Sequence, residues 1–365
     1  MQARGGAARP PIGVAFEGDL GYRIDAVLAL AMLQGFVGKG EARSVATAVS
    51  RPSIRSAQVA DAVGGFYSPR PAGGSLMVGM PEGPAAPSDT PPIAALLAKR
   101  GADGSQPYTS TIASTLDTAD NAVLIRNVLL AQNDGNGAIV VAGPATGMVK
   151  LLNLYGAPPQ IAAKVKHLVL ALGAFGQGAA ADASVKSDIA AARKLFAEWP
   201  TPIIVAGAEV GAALPYPGAS IDKDFAWSPA HPVADAYRIA GRMPYDAPAP
   251  ALAAMAYAVK PGDGLFSLSD PGTITVTDDG RTTFTPNPAG KHRYLIVDPA
   301  QKERVTKLYT DMVSATPPPR PGRGRGFPPA QQQQQQQQQA PPAQPPQPGN
   351  RPAQSPAPAA PPARP

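Results

Sequence analysis

The chain has 365 residues, 16% of them charged, with 32 Lys and Arg against 26 Asp and Glu and no cysteine. The missing cysteines exclude disulfides, thiolate metal sites and cysteine nucleophiles, and leave the redox compartment open. No apolar run reaches the roughly 18 residues of a membrane-spanning helix, and residues 1–11 lack the apolar core of a signal peptide. The chain therefore reads as soluble without a membrane partner, with export open if the true start lies upstream or a leader has been removed.

The basic balance is local. From Thr316 onward the sequence is almost entirely Pro, Gln, Ala, Gly and Arg, holding 17 of the 45 prolines and nine consecutive glutamines at 331–339. Such a segment buries too little apolar surface to offset its ordering entropy, so 316–365 is expected to be a disordered tail. It carries five arginines and no acid; setting those five aside leaves 27 basic residues against 26 acidic ones. A nearly neutral body argues against a specific nucleic-acid partner. The tail is expected to contact a partner weakly at most. Residues 1–9 read as a flexible arm and 10–315 as the folded domain; homo-oligomerisation is left open.

Strand-length apolar runs alternate with helical patterns through that domain. The strands predicted in chain order are 12–16, 44–50, 75–80, 138–142, 167–172 and 202–206. They are rich in β-branched residues and leucine without strict alternation, which suits strands covered on both faces. The helices predicted between and after them are 25–36, 56–66, 119–132, 147–155, 188–198, 232–242 and 249–259, with Asp188 placed as an N-cap. Two alternating runs around Asp278-Asp279-Gly280 predict a late hairpin. A further strand near 294–297 and a closing helix at 300–313 complete the pattern. The fold class is therefore α/β: an open, mostly parallel, Rossmann-like sheet with helices on both faces and a late β-hairpin.

The chemistry concentrates where the first strand ends. Ile12 to Phe16 stops at Glu17-Gly18-Asp19-Leu20-Gly21, and a helix opens at Ile24-Asp25. In open α/β sheets, ligands bind beyond the carboxyl ends of the strands. Carboxylates there suit hard cations or hydroxyl-rich ligands; capping and turn formation are the structural alternative. His167, His231 and His292 are expected at a strand edge and in loops, without a catalytic role.

These segments resemble the inosine-uridine preferring nucleoside hydrolase family. Glu17-Gly18-Asp19-Leu20-Gly21 is similar to its opening Asp-x-Asp-x-Gly cluster, and Ile24-Asp25-Ala26 to the Asp pair that follows. Gly143-Pro144-Ala145-Thr146, Gly173-Ala174-Phe175, Asp188-Ile189-Ala190-Ala191-Ala192 and Pro244-Tyr245-Asp246 resemble later segments in the family's order. The resemblance implies Ca²⁺-assisted hydrolysis of the N-glycosidic bond of a ribonucleoside to base and ribose. It implies Asp19 as metal ligand and catalytic base, Asp246 and the Thr146 carbonyl as further metal ligands, and Asp25, Asp246 and Asp182 as contacts to the nucleoside or riboside. The chain departs from the family at Ala26, where the second aspartate of the pair is expected, and at Pro52 or Ser53, where an asparagine is expected. Tyr245 replaces a histidine. A non-catalytic descendant with weak sugar or nucleoside binding stands beside the hydrolase reading.

Overall fold

The computed structural model describes residues 10–67, 77–83, 90–176 and 178–317. The arm 1–9 and the tail from 318 onward lie outside the described residues, as do positions 75–76 of the third predicted strand. No helix among the described residues is long and apolar enough to cross a membrane.

The strands are β1 (Ile12–Gly18), β2 (Ala42–Val49), β3 (Val78–Met80), β4 (Ala119–Asp120), β5 (Gly137–Ala142), β6 (Val165–Leu170), β7 (Ile203–Val205), β8 (Ser267–Leu268), β9 (Gly272–Val276), β10 (Thr282–Pro286) and β11 (His292–Ile296). They form one sheet in the order β10-β9-β11-β7-β6-β5-β1-β2-β3-β4, with β8 paired to β11. From β11 to β4 every neighbouring pair is parallel. The hairpin β9–β10 adds an antiparallel edge beside β11. The chain runs outward from β1 to β4, then returns to β5 on the other side of β1. That reversal makes the end of β1 the switch point of the sheet, where such folds open a crevice.

Side chains along the central strands divide between two apolar layers. Val14 and Phe16 join one core cluster with Val140 and Ala142, whereas Ala15 joins another with Ile139 and Val141. Successive strand residues point to opposite faces, so a strand covered on both faces needs apolar residues throughout. The helix Ile24–Gly38 shows the same logic: residues 26–33 are all fully buried, as expected of a helix apolar on every side. The helices Pro250–Val259 and Lys302–Val313 share its cluster. Asn121–Leu130, Thr146–Asn153 and Ile189–Glu198 cover the opposite face.

The predicted elements are present, with ends displaced by a few residues, and the fold class is as expected. The structure adds short pieces. Residues 119–120 form an edge strand before the helix rather than its first turn. The helix Ala157–Lys164 was hidden by Pro158 and Pro159, which read as breakers but occupy the first turn. There a proline loses no helical hydrogen bond.

Candidate functional site

The end of β1 is fixed by its neighbours. The Asp19 N–H donates to the Ala142 carbonyl at 3.0 Å, tying the loop to β5, and the Ser50 N–H donates to the Gly18 carbonyl at 3.1 Å, tying it to β2. The N–H groups of Tyr22 and Arg23 both donate to the Asp19 carbonyl, at 3.0 and 2.8 Å. This turn launches the helix Ile24–Gly38.

Two carboxylates in this mouth are each held by an arginine. The Arg51 Nε–H lies 3.0 Å from Asp19 Oδ1 and 2.9 Å from Oδ2. Arg23 forms a two-pronged fork on Asp25, with Nε to Oδ1 at 3.0 Å and Nη2 to Oδ2 at 2.6 Å. Its Nη1 also donates to the Ala171 carbonyl at 3.1 Å and to Ser184 Oγ at 3.3 Å. Asp25 Oδ2 accepts from the Ala251 N–H at 3.2 Å. Both acids are buried, Asp19 at 3% and Asp25 at 5% exposure. Burial raises the Asp19 carboxyl above its ordinary pKa, with Arg51 pulling the other way. Asp182 belongs to the same neighbourhood through its charge on Arg23, while its Oδ1 caps the helix Ala183–Ser187 by accepting from the N–H groups of Ser184 and Val185.

A third acid lies deeper. Glu17 is fully buried; its Oε2 accepts from Asn121 Nδ2 at 2.9 Å, and Oε1 has no partner among the described residues. Burial pushes its pKa up to about 8, so it is mainly protonated at neutral pH. A Cβ on Gly147 would lie 2.3–2.4 Å from both oxygens of this group; a glycine there is a packing requirement.

Asp246 and the Thr146 hydroxyl each have a hydrogen-bond partner. Asp246 Oδ1 accepts from the Gly218 N–H at 2.8 Å, at the start of the helix Gly218–Lys223. Thr146 Oγ1 donates to Asp188 Oδ2 at 2.7 Å, and the other Asp188 oxygen caps the helix Ile189–Glu198. Among the described residues, no three His, Asp or Glu side chains are arranged to hold a metal ion. Calcium takes 6–8 oxygen ligands, whereas both carboxylates at the mouth already face a guanidinium. The donor set does not fit the calcium centre that the resemblance implies.

Several expectations change in detail. Ala26 is fully buried in the apolar layer of its helix, so an aspartate there would enter the core; the adjacent Asp25 is the residue that meets Arg23. Ser53 Oγ accepts from the Ser56 N–H and starts the helix Ile54–Tyr67. Tyr245 stacks on Tyr237 with ring centroids 4.5 Å apart and donates its hydroxyl proton to the Tyr237 carbonyl. All three histidines are buried: His231 lies in the loop that opens the helix Pro232–Ala240, as expected, whereas His167 lies within β6 and His292 begins β11. Burial lowers the pKa of His167 to about 4 and of His231 to about 3. Arg23, Arg51 and Asn121 were missed as site residues. The available signal was a basic residue immediately after each of two strand-end segments, at the mouth of a sheet.

Solved structures share this architecture. The purine-preferring ribonucleoside hydrolase from Gardnerella vaginalis is 18% identical, with a TM-score of 0.63 over 84% of this chain and 99% of that one. The inosine-uridine preferring nucleoside hydrolase from Bacillus anthracis is 15% identical, with a TM-score of 0.60 over 83% and 99%. The type III effector protein XopQ, solved with adenosine diphosphate ribose, is 15% identical, with a TM-score of 0.59 over 85% and 96%. No protein-family profile and no curated protein matches the chain. The chain has the nucleoside hydrolase fold.

Proposed function

We propose that the crevice at the end of β1 binds a riboside, with Asp19 and Asp25 accepting hydrogen bonds from its hydroxyls and Arg23 and Arg51 supplying the positive charge that the family resemblance would assign to calcium. The observation that carries this reading is the pair of guanidinium–carboxylate contacts at the mouth of the sheet. A hydroxyl-rich ligand needs clustered acceptors with neighbouring donors, and these two pairs supply both. Entry of a divalent cation would require breaking two charge-assisted contacts, one of them a bidentate fork. Proteins with this fold are named as ribonucleoside hydrolases, and one is described with adenosine diphosphate ribose; a ribosyl group is the chemistry common to those names. In this reading Asp182 adds negative charge beside Arg23, and Asp246 and Thr146 shape the surrounding turns.

A second reading is hydrolysis of the N-glycosidic bond, with Asp19 taking a proton from water. The burial that raises the proton affinity of Asp19 favours it, because a base works best with a pKa near the working pH. No metal step is assigned.

Calorimetric titration of the full chain with adenosine and inosine, alongside a reducing-sugar assay with and without Ca²⁺, separates the readings. The expected result is saturable binding without sugar release. Sugar release would establish the second reading, and absence of binding by either nucleoside would overturn the first.

A further inference from the structure

Beside the acidic mouth lies a second, smaller cavity of about 200 Å³, bounded by the residues that follow β2, β3 and β5. Its lining includes Ser50, Arg51, Thr146 and Lys150. Three features point to an anionic occupant. Arg51 uses only Nε on Asp19; its guanidinium also lies 5.1 Å over the Tyr22 ring, both terminal nitrogens have no hydrogen-bond partner among the described residues, and its side chain is 41% exposed. Lys150 places its ammonium against one neutral acceptor, the Glu82 carbonyl at 3.1 Å. Ser50 is 93% buried, counting from its 7% exposure, yet its hydroxyl has no partner among the described residues. A Cβ at Gly143 would come within 2.3 Å of that hydroxyl, so the glycine preserves this packing. The cavity also borders the start of the helix Thr146–Asn153, whose first turn has no side-chain cap; the helix dipole there favours negative charge. The Glu82 carboxylate belongs to an exposed residue at the rim.

We propose that this cavity receives a phosphate group, making the ligand of the crevice a phosphorylated riboside rather than a neutral nucleoside. The inference rests on the riboside reading of the neighbouring mouth. Arg51 joins the two parts: Nε holds Asp19 on the sugar side while the terminal nitrogens and the Lys150 ammonium meet phosphate oxygens. A guanidinium matches a phosphate with paired, charge-assisted hydrogen bonds. Ser50 forms part of the wall, with its buried hydroxyl packed against Gly143. The cavity is below the roughly 300 Å³ of a whole small-molecule site, as suits one substituent of a larger ligand.

The test compares adenosine with adenosine 5′-monophosphate by calorimetry on the full chain, and repeats both titrations with Lys150→Gln and Arg51→Lys. The expected result is a monophosphate bound about tenfold or more tightly than adenosine, from at least one charged hydrogen bond. Lys150→Gln should remove most of that advantage while leaving adenosine affinity unchanged. Arg51→Lys keeps the charge but loses the paired geometry, and should reduce the advantage as well. Equal or weaker binding of the monophosphate, with adenosine still bound, would overturn the phosphate site and leave the riboside reading standing. An advantage that survives both substitutions would also overturn this site. Failure of both ligands to bind would remove both readings.

Discussion

Glu17→Gln is expected to flatten the pH dependence of stability between about pH 4.5 and 8 and to stabilise the protein at alkaline pH. Glu17 lies between Ala48 of β2 and Val141 of β5 at the centre of the sheet, with no solvent exposure. Its pKa rises from 4.5 to about 8 because burial disfavours the charged form, and the single bond from Asn121 recovers only part of that loss. The folded protein therefore holds a proton that the unfolded chain has released across this interval. Stability consequently falls as pH rises. The contribution is fully present below about pH 4.5, declines through the interval and is gone above about 8. At about 1.4 kcal/mol per pKa unit, the full swing is on the order of 4–5 kcal/mol. Glutamine mimics the protonated acid in size and neutrality, so the variant lacks this titration. Urea unfolding at pH 5, 7 and 9 measures the difference directly. Parallel profiles for the two proteins would show that Glu17 is charged in the folded state.

Arg23→Met is expected to destabilise the protein by about 3 kcal/mol, the lower part of the range for removing one partner of a buried ion pair. The lower part applies because the arginine side chain is 21% exposed, although Asp25 is nearly enclosed. Without the guanidinium, Asp25 keeps the Ala251 N–H as its hydrogen-bond donor. The Ala171 carbonyl and Ser184 hydroxyl also lose a donor. The double variant Arg23→Met/Asp25→Asn should recover more than about 1 kcal/mol relative to additivity, as contacting residues in one network do. Chemical unfolding of the four proteins in the cycle measures this coupling. Additive losses would mean that the fork contributes nothing specific to the folded site.

The architecture was legible because its central strands have little choice. A strand such as 137–142, buried on both faces, must be apolar at every position, and its length and alternation with helices specify a parallel sheet. The short elements were less visible: two residues at 119–120 carry no period, and Pro158-Pro159 conceals a helix start. The site was legible in half. Asp19 and Asp25 were readable as acids at the end of a buried strand because an acidic, glycine-containing loop follows it. Their partners were not, because Arg51 is 32 residues from Asp19 and only the pairing of β1 with β2 brings them together. Ala26 illustrates the limit of reading by position. One residue along a helix turns a side chain by about 100°, which separates the crevice from the core. The protonation of Glu17 was also invisible, since it depends on burial between β2 and β5 rather than on its neighbours in sequence.

In the proposed site, arginine side chains rather than calcium balance the carboxylates at the end of β1. Equilibrium dialysis of the full chain against radiolabelled Ca²⁺, in the presence and absence of adenosine, tests it most directly. No stoichiometric calcium is expected at concentrations up to the millimolar range of weak protein sites. One tightly held ion per chain, lost on Asp19→Asn, would contradict it.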